Sequence, residues 1–482
     1  MTEMTENSKD AALTADNSAA SDTHTRLFAR LDDVVDTIGY NSVHTKVFII
    51  AALGGLFNII EQYNIGYAAP ILKDQWGIGD TQVGWLSTAT FLAMAVGSTI
   101  TGMLADRFGR KPLFLIGILI YSLGSILAAL APNYEVLLIA RALVGVGLGG
   151  EMVLGYTLIA EFIPRRRRAA ASAAMSLTHG GIGIWAAAVL AAVILGPVST
   201  LVGGEQIAWR VLLGIMVLPA LLALVVRRYM PETPRFLLHS GDTTRLNRVL
   251  TAISLNKMKL ESGQKATEYF DATVMNSGDG PVNRVSLREI ATRKLARNNL
   301  VAWVLAVTLF ASVVSMTVFL PTILVNLGQN AGASAGIASL VTLGGFLGGV
   351  VGIYAGHRFP RRLILGGCSL INVLLLIFLA YTTSIPSVII AGFAVAFVYQ
   401  VLSGTFWGYL PELYPTRVRA LGVSIATTIA LTIGAAVAPV VFGKLLESAG
   451  AAALFTLLAV LAAVHGVAAL AGPETHKQAL AE

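Results

Sequence analysis

Charge is the scarce ingredient of this 482-residue chain. Only 13% of its residues are Asp, Glu, Lys or Arg and 55% are hydrophobic, whereas a soluble domain carries about 25% charged residues. Mean hydropathy is +0.72. That composition excludes a disordered protein, a nucleic-acid binder and an ordinary cytosolic enzyme. Cysteine is scarcer still. Cys368 stands alone, which excludes internal disulfides and a thiolate metal cage. The histidines are scattered, so no metal site or catalytic cluster is expected and the chain does not read as an enzyme. No Gly-x-x-x-x-Gly-Lys-Ser/Thr loop is present, which argues against a pump driven by ATP.

What the chain has in abundance is apolar runs of bilayer-crossing length, about 20 residues each. Six fall at Val47–Ile71, Val83–Ala105, Leu113–Ala131, Val136–Phe162, Ala170–Leu195 and Val211–Val226. Six more follow at Leu300–Leu327, Gly336–Ala355, Leu363–Tyr381, Val388–Leu410, Gly422–Leu446 and Ala452–Leu470. The expected fold is therefore all-α, with twelve transmembrane helices in two six-helix bundles. Basic residues orient it. With both termini cytoplasmic, only Lys73, Arg210 and Lys444 of the 34 Lys and Arg fall in outside loops, and Arg141 lies within the fourth span. All others are inside, as the positive-inside rule requires.

Residues 1–24 are Thr-, Ser-, Asn- and Asp-rich without an apolar signal segment, so a disordered tail is expected. Over 25–40, Leu27, Phe28, Leu31, Val34, Val35 and Ile38 recur at helical spacing with Arg30, Asp32, Asp33 and Asp36 between them. This pattern predicts an amphipathic helix on the cytoplasmic membrane surface. The remaining division is a first bundle over 41–230, a cytoplasmic linker over 231–298, a second bundle over 299–472 and a tail over 473–482. Helical patches are expected in the linker at Arg245–Leu255 and Arg288–Leu295, with a turn at Asn276–Gly280.

The two halves repeat. Asp106-Arg-Phe-Gly-Arg-Lys111 after the second span recurs as His357-Arg-Phe-Pro-Arg-Arg362 after the eighth, 251 positions on. Glu161-Phe-Ile-Pro-Arg ends the fourth span and Glu412-Leu-Tyr-Pro-Thr ends the tenth, again 251 positions apart. Pro231-Glu232-Thr233 recurs as Pro473-Glu474-Thr475. Six spans separate the copies, an even number, so the repeats are parallel. That is the organisation of a two-bundle secondary transporter.

On these residues the chain resembles the major facilitator superfamily. Gly102-x-x-x-Asp106-Arg107-x-Gly109-Arg110-Lys111 is similar to the superfamily's loop between helices two and three. Arg141-x-x-x-Gly145-x-Gly147-x-Gly149, Pro231-Glu232-Thr233-Pro234-Arg235 and Pro473-Glu474-Thr475 resemble the sugar-porter-related branch. Within it, Gly149-Gly150-Glu151 and the Glu412–Ala420 segment look most like bacterial metabolite:proton symporters, relatives of synaptic vesicle protein 2 and of niacin and aromatic-acid carriers. Two departures stand out. The Gln-Gln pair of hexose porters is absent from Trp303–Pro321, and His357 replaces the acid that Asp106 supplies in the first copy.

Charges inside the bilayer form the short list of candidates. Glu61 shares a polar stripe with Asn58 and Gln62 at i−3 and i+1, and an acid at the bilayer centre costs about 3 kcal/mol on insertion scales. It needs a partner, water or a proton; a structural hydrogen-bond hub is the alternative. Arg141 and Glu151 are about 15 Å apart along one helix, so each needs a partner elsewhere. Arg141 near the outer end can snorkel or pack on the opposite bundle, while the resemblance implies coupling to the helix-one acid. Glu151 and His179 complete the proton-coupling set, with buried structural pairing as the alternative for each. Around Glu151, Gly147, Gly149 and Gly150 provide close helix approach, as does Gly344–Gly349 in the second half.

Substrate contacts are expected from Asn58, Gln62, Ser315, Tyr399, Gln400, Ser403 and Trp407, with Ser312 and Thr317 alongside, in a midplane cavity between the bundles. Ordinary helix packing is the alternative for each. The resemblance implies gating by two charge clusters. One joins Asp106, Arg107, Arg110, Glu161, Arg166 and Glu232; the other joins Arg358, Glu412, Arg417, Arg419 and Glu474. The expected function is proton-coupled symport of a small polar metabolite, such as an aromatic acid or nicotinate, by a monomer in the plasma membrane. Its partners are substrate, protons and lipid, without a cofactor or nucleic acid. A sugar or polyol carrier, a drug:proton antiporter and a transporter-like nutrient sensor are the competing readings.

Overall fold

In lipid every backbone N–H and C=O must be satisfied within its own segment, so apolar runs of this length become helices. The computed structural model describes residues 26–261, 263–271, 287–415 and 417–475. The tail 1–24, the Asn276–Gly280 turn, residues 476–482 and the side chains of Asp106 and His357 lie outside what is described. Helix α1 covers 26–38. The first half comprises α2 (Ser42–Trp76), α3 (Asp80–Phe108), α4 (Arg110–Ala129), α5 (Tyr134–Phe162), α6 (Arg165–Val202) and α7 (Glu205–Tyr229). Two short linker helices follow, α8 (Pro234–His239) and α9 (Thr243–Ser254). The second half comprises α10 (Ala296–Asn326), α11 (Ala331–Arg358), α12 (Arg361–Tyr381), α13 (Ile385–Glu412) and α14 (Leu421–Ala471).

Among the described residues, 11 helical stretches are long and apolar enough to cross a membrane. The last, α14, runs for 51 residues, about 76 Å at helical rise against a hydrocarbon core of about 30 Å. It breaks at Gly450, where φ is 76° and ψ −177°, so two runs separate in sequence are joined end to end here. Asparagines start three of the helices: Asn41, Asn133 and Asn330 each accept a backbone N–H of the first turn, a cap that each substitution to Ala would cost about 1 kcal/mol.

The halves are pseudo-symmetric contact by contact. Arg110 Nε donates to Glu161 at 3.3 Å, and Arg361 Nε donates to Glu412 at 3.3 Å. Glu232 accepts the backbone N–H of Arg110 at 3.1 Å, and Glu474 accepts that of Arg361 at 3.0 Å. Both carboxylates thus sit on a helix N-terminus, where the macrodipole favours negative charge. Gly109 precedes the first of these with φ 96°, and a Cβ there would stand 2.5 Å from a Glu232 oxygen; only glycine fits. The halves meet at the end away from these basic loops, where Thr81 Oγ1 donates to Glu447 at 2.6 Å and Thr88 donates to the Ala436 carbonyl.

The linker corrects two expectations. The Arg288–Leu295 patch forms helix only over Leu287–Ile290, and α8 was unforeseen. Helix α1 turns its apolar face onto the linker. Leu27, Leu31 and Val35 are buried against Leu237, Leu238, Leu246, Leu250 and Phe270 of the linker. The polar face is fastened by Asp32, which pairs with Arg235 at 2.8 Å, Arg165 at 3.3 Å and Arg168 at 3.4 Å. Burial pushes the Asp32 carboxyl up, but the Arg235 hydrogen bond and the three guanidinium charges outweigh it and hold the group below its ordinary value. Its stabilisation is therefore fully present at neutral pH and is lost as pH falls through that lowered value.

Replacing Asp32 with Asn is expected to cost about 1–2 kcal/mol, since the group is partly screened by solvent. The change should lower the melting temperature of the purified protein and speed proteolysis in the linker. Asp33→Asn, at a side chain 69% exposed, should leave both unchanged. Equal behaviour of the two variants would remove Asp32 from this role.

Candidate functional site

The polar stripe of α2 forms because Asn58, Glu61 and Gln62 share one helix face. That face is turned inward, into the first half. Arg141 on α5 meets Glu61 at 2.6 Å, and both side chains are 0% exposed. The guanidinium also donates to Thr90 Oγ1 at 3.1 Å and to the Glu61 carbonyl at 3.3 Å. Arg141 therefore neither snorkels nor packs on the opposite bundle. Its charge cannot be left alone at this depth, and the acid on α2 is within reach. Glu61 keeps one oxygen, Oε2, without a hydrogen bond, and the Tyr121 hydroxyl is likewise unbonded.

One turn back along α2, Asn58 Nδ2 donates to Glu151 at 2.5 Å and to the Leu148 carbonyl at 2.8 Å. Glu151 is fully buried, with Oε1 unbonded. The long gap between Arg141 and Glu151 on α5 is thus spanned by two residues of α2. Gln62 donates to Met94 Sδ at 3.2 Å, so it too faces the first half.

His179 sits on α6 where the helix widens into a π turn over Leu177–Gly183, a deviation that often marks functional positions. Its Nδ1 bonds the Met175 carbonyl at 3.0 Å, its ring lies 5.4 Å from that of Tyr156, and Nε2 is unbonded. The ring covers Gly55 of α2, where any Cβ would collide with it.

A cavity of about 50 Å³ lies between the halves, lined by α6, α10, α11 and α13. Of the expected substrate contacts it takes in Tyr399, Gln400 and Thr317, and it adds Gly180, Ile184, Met316 and Thr342. Asn58, Gln62, Ser315, Ser403 and Trp407 are not in its wall. Ser315 and Ser312 are buried with unbonded hydroxyls, and Trp407 packs edge-on to Phe310 and Phe406. The added residues are small or apolar, and nothing in their spacing singles them out from helix packing.

Among the described residues, the contacts of each charge cluster fall within its own half. Arg110, Glu161 and Glu232 come together, whereas Arg107 is exposed with its guanidinium 5.4 Å from the Phe108 ring, and Arg166 is exposed. In the second cluster Arg361, absent from the expected set, is the hub that joins Glu412 and Glu474. Arg358 donates to Tyr354 at 3.0 Å, Arg417 pairs with Glu289 at 2.9 Å, and Arg419 donates to the Pro411 and Tyr414 carbonyls. Among the described side chains, Arg110–Glu161–Glu232 and Arg361–Glu412–Glu474 therefore form two compact triads.

Gly55→Ala is expected to destabilise the protein by about 1–3 kcal/mol through overpacking against the imidazole. Adding His179→Ala should recover most of that loss, a coupling that thermal melts of the two single variants and the double variant measure directly. Additive losses would mean that the ring does not occupy this place.

The sequence profile described as Major Facilitator Superfamily matches residues 51–439. A niacin transporter, NiaP, of Acinetobacter baylyi is 26% identical over 447 residues, covering 92% of this chain and 98% of the relative. A probable 4-methylmuconolactone transporter of Cupriavidus pinatubonensis is 28% identical over 436 residues, covering 89% and 90%. Among solved structures, the inward-open xylose transporter XylE from E. coli matches with a TM-score of 0.69 at 16% identity, over 91% of this chain and 98% of that one. That likeness concerns the fold. With the family's profile spanning both halves, the chain belongs to the Major Facilitator Superfamily and is a multi-pass membrane transporter.

Proposed function

We propose that the protein is a proton-coupled symporter that carries a small polar metabolite, an organic acid such as an aromatic acid or nicotinate, across the cell membrane by alternating access. It works as a monomer with both termini cytoplasmic and with the proton as its only coupling agent. The Glu61–Arg141 pair carries this reading. A carboxylate and a guanidinium withdrawn from water balance each other only while both are charged. A proton arriving on Glu61 releases Arg141 and changes which arrangement of helices is favoured, by the difference in how each arrangement holds the pair. Glu151 and His179 belong to the same proton machinery, and Asn58 and Gln62 hold α2 against α5 and α3. Names of relatives support a small organic substrate: one is called a niacin transporter, another a probable methylmuconolactone transporter.

The Arg110–Glu161–Glu232 and Arg361–Glu412–Glu474 triads act as stiffeners at the cytoplasmic ends of their halves, so that each half rocks as a unit. Arg107, Arg166, Arg358, Arg417 and Arg419 act beside these triads, and Asp106 belongs to the same gating set.

In proteoliposomes with an imposed pH gradient, saturable accumulation of a labelled aromatic acid is expected. Glu61→Gln should abolish accumulation while preserving exchange of substrate for substrate; unchanged accumulation would sink the assignment. Ligand binding without any flux would favour a sensor instead. A fluorescent protein fused after Glu482 should mature and fluoresce in cells, and a phosphatase that works only outside should be inactive at the same place. The reverse pattern would invert the topology.

A further inference from the structure

Tyr121 of α4 carries a buried hydroxyl that has no hydrogen-bond partner among the described residues. Its neighbours on the same helix face place it. Four residues before it, Gly117 packs on Glu151, and a Cβ there would stand 3.6 Å from the Glu151 Cβ. Four residues after it, Ser125 lies next to Glu61. Positions 117, 121 and 125 share one face, so Tyr121 stands between the two acids, about a turn from the level of each. Gly147 of α5 lets the helices close here, since a Cβ would stand 2.5 Å from the Tyr121 backbone nitrogen. The hydroxyl is accordingly within electrostatic reach of both Glu151 and Glu61.

The two acids have complementary spare atoms. Glu61 Oε1 accepts from Arg141 at 2.6 Å, and Glu151 Oε2 accepts from Asn58 at 2.5 Å. Glu61 Oε2 and Glu151 Oε1 are left buried and unbonded. A phenol hydroxyl has one proton to donate and lone pairs with which to accept. Between two carboxyl groups it is satisfied on both sides only when one of them is protonated and the other is not. Ser125 cannot take this place, because its proton goes to the Tyr121 carbonyl at 2.8 Å. One proton shared by two acids beside the Arg141 guanidinium also leaves the site without net charge, which a medium without water favours. The neighbouring titratable groups are His179 on α6, whose ring covers Gly55, and Tyr156 on α5, 5.4 Å from that ring.

We propose that Tyr121 is a proton relay between Glu61 and Glu151. As protonated Glu61 gives its proton to the Tyr121 oxygen, the hydroxyl gives its own to Glu151 Oε1. An O–H bond breaks on Glu61 and on Tyr121, one forms on Tyr121 and on Glu151, and the phenol ends neutral with a different proton. Negative charge passes the other way, from Glu151 to Glu61, and restores the pair with Arg141. The inference rests on the transport reading and adds to it the route by which a proton leaves Glu61.

The full-length protein in lipid nanodiscs provides the first test. Infrared difference spectra between alkaline and acid pH report the C=O stretch of each protonated carboxyl, and Glu61→Gln and Glu151→Gln assign the bands. Tyr121→Phe keeps the ring and removes only the relay oxygen, so it should shift both bands. In proteoliposomes it should slow gradient-driven accumulation about tenfold or more, with substrate-for-substrate exchange and thermal melting unchanged. Ser122→Ala, which removes another buried and unbonded hydroxyl of α4, should alter none of these readouts. Absence of a titrating carboxyl band, bands unmoved by Tyr121→Phe, unchanged accumulation in that variant, loss of exchange together with accumulation, or the same losses in Ser122→Ala would each overturn the relay. The spectra do not depend on flux. Shifted bands in a protein whose native form accumulates nothing refute proton-coupled transport alone, and native accumulation that Tyr121→Phe leaves intact refutes the relay alone.

Discussion

A cation and an anion in a medium with no water to solvate them must find each other, and the first half is arranged around that requirement. Arg141 is among the largest fully buried side chains of the protein. Its partner sits on α2, its second contact on α3, and Glu151 a few turns along the same helix returns to α2 through Asn58. Three helices are held in register by polar contacts that leave little latitude, because a slip of one residue would strand a charge. Loss of one partner of such a pair typically costs about 3–5 kcal/mol. The contacts are also incomplete, with one oxygen of each glutamate unbonded. A site satisfied in every valence would be a brace. One with spare acceptors is suited to take up and release a proton.

The second half shares the framework but, among the described residues, has no fully buried carboxylate or guanidinium. Moving Glu61, Arg141, Glu151 and His179 forward by the 251 positions of the repeat lands on Ser312, Gly392, Leu402 and Ala430. The peripheral triads are duplicated faithfully, down to the carbonyls of Ala105 and Gly356 that receive the two arginines. The widened turn of α6 also recurs, as the π segment Ala430–Val437 of α14. Scaffold is therefore common to both copies, while among the described residues the fully buried carboxylates and guanidinium lie in the first; the second keeps a buried histidine, His465, whose Nδ1 lies 2.9 Å from the Thr308 hydroxyl.

Much of this was legible from spacing alone. The offset of 251 residues announced two parallel halves, and the polar stripe on α2 picked out Glu61. The rest was hidden for physical reasons. Runs such as His357–Arg362 say that a charged turn exists but not which guanidinium faces inward, so Arg361 was passed over for Arg358. An amphipathic stripe is the same whether lipid or protein covers it, so α1 could not declare its partners in the linker. A π turn changes the helical period without a residue signature, which put His179 and Gly180 on faces that 3.6-residue spacing does not resolve. Cavity walls made of Gly, Ile and Met look like any packed helix in sequence.

The distance between the charged pair and the neutral cavity then has a consequence for coupling. Glu61 and Arg141 do not line the cavity, so a ligand there cannot exchange contacts with them directly. The link must run through helices. The π turn of α6 is the element with a residue on each side: His179 covers Gly55 on the helix that carries Glu61, and the neighbouring Gly180 lies under Gln400 at the cavity. On the proposed transport reading, a substrate that moves Gln400 off Gly180 unloads one face of that turn, while a change of charge at Glu61 acts through α2 on the other. Packed interiors respond to such loads by switching between discrete arrangements rather than by yielding gradually. On the proposed reading, proton and metabolite need no shared atom to be coupled. They need a helix segment wide enough to be biased from both sides, and α6 has one at the boundary between the halves.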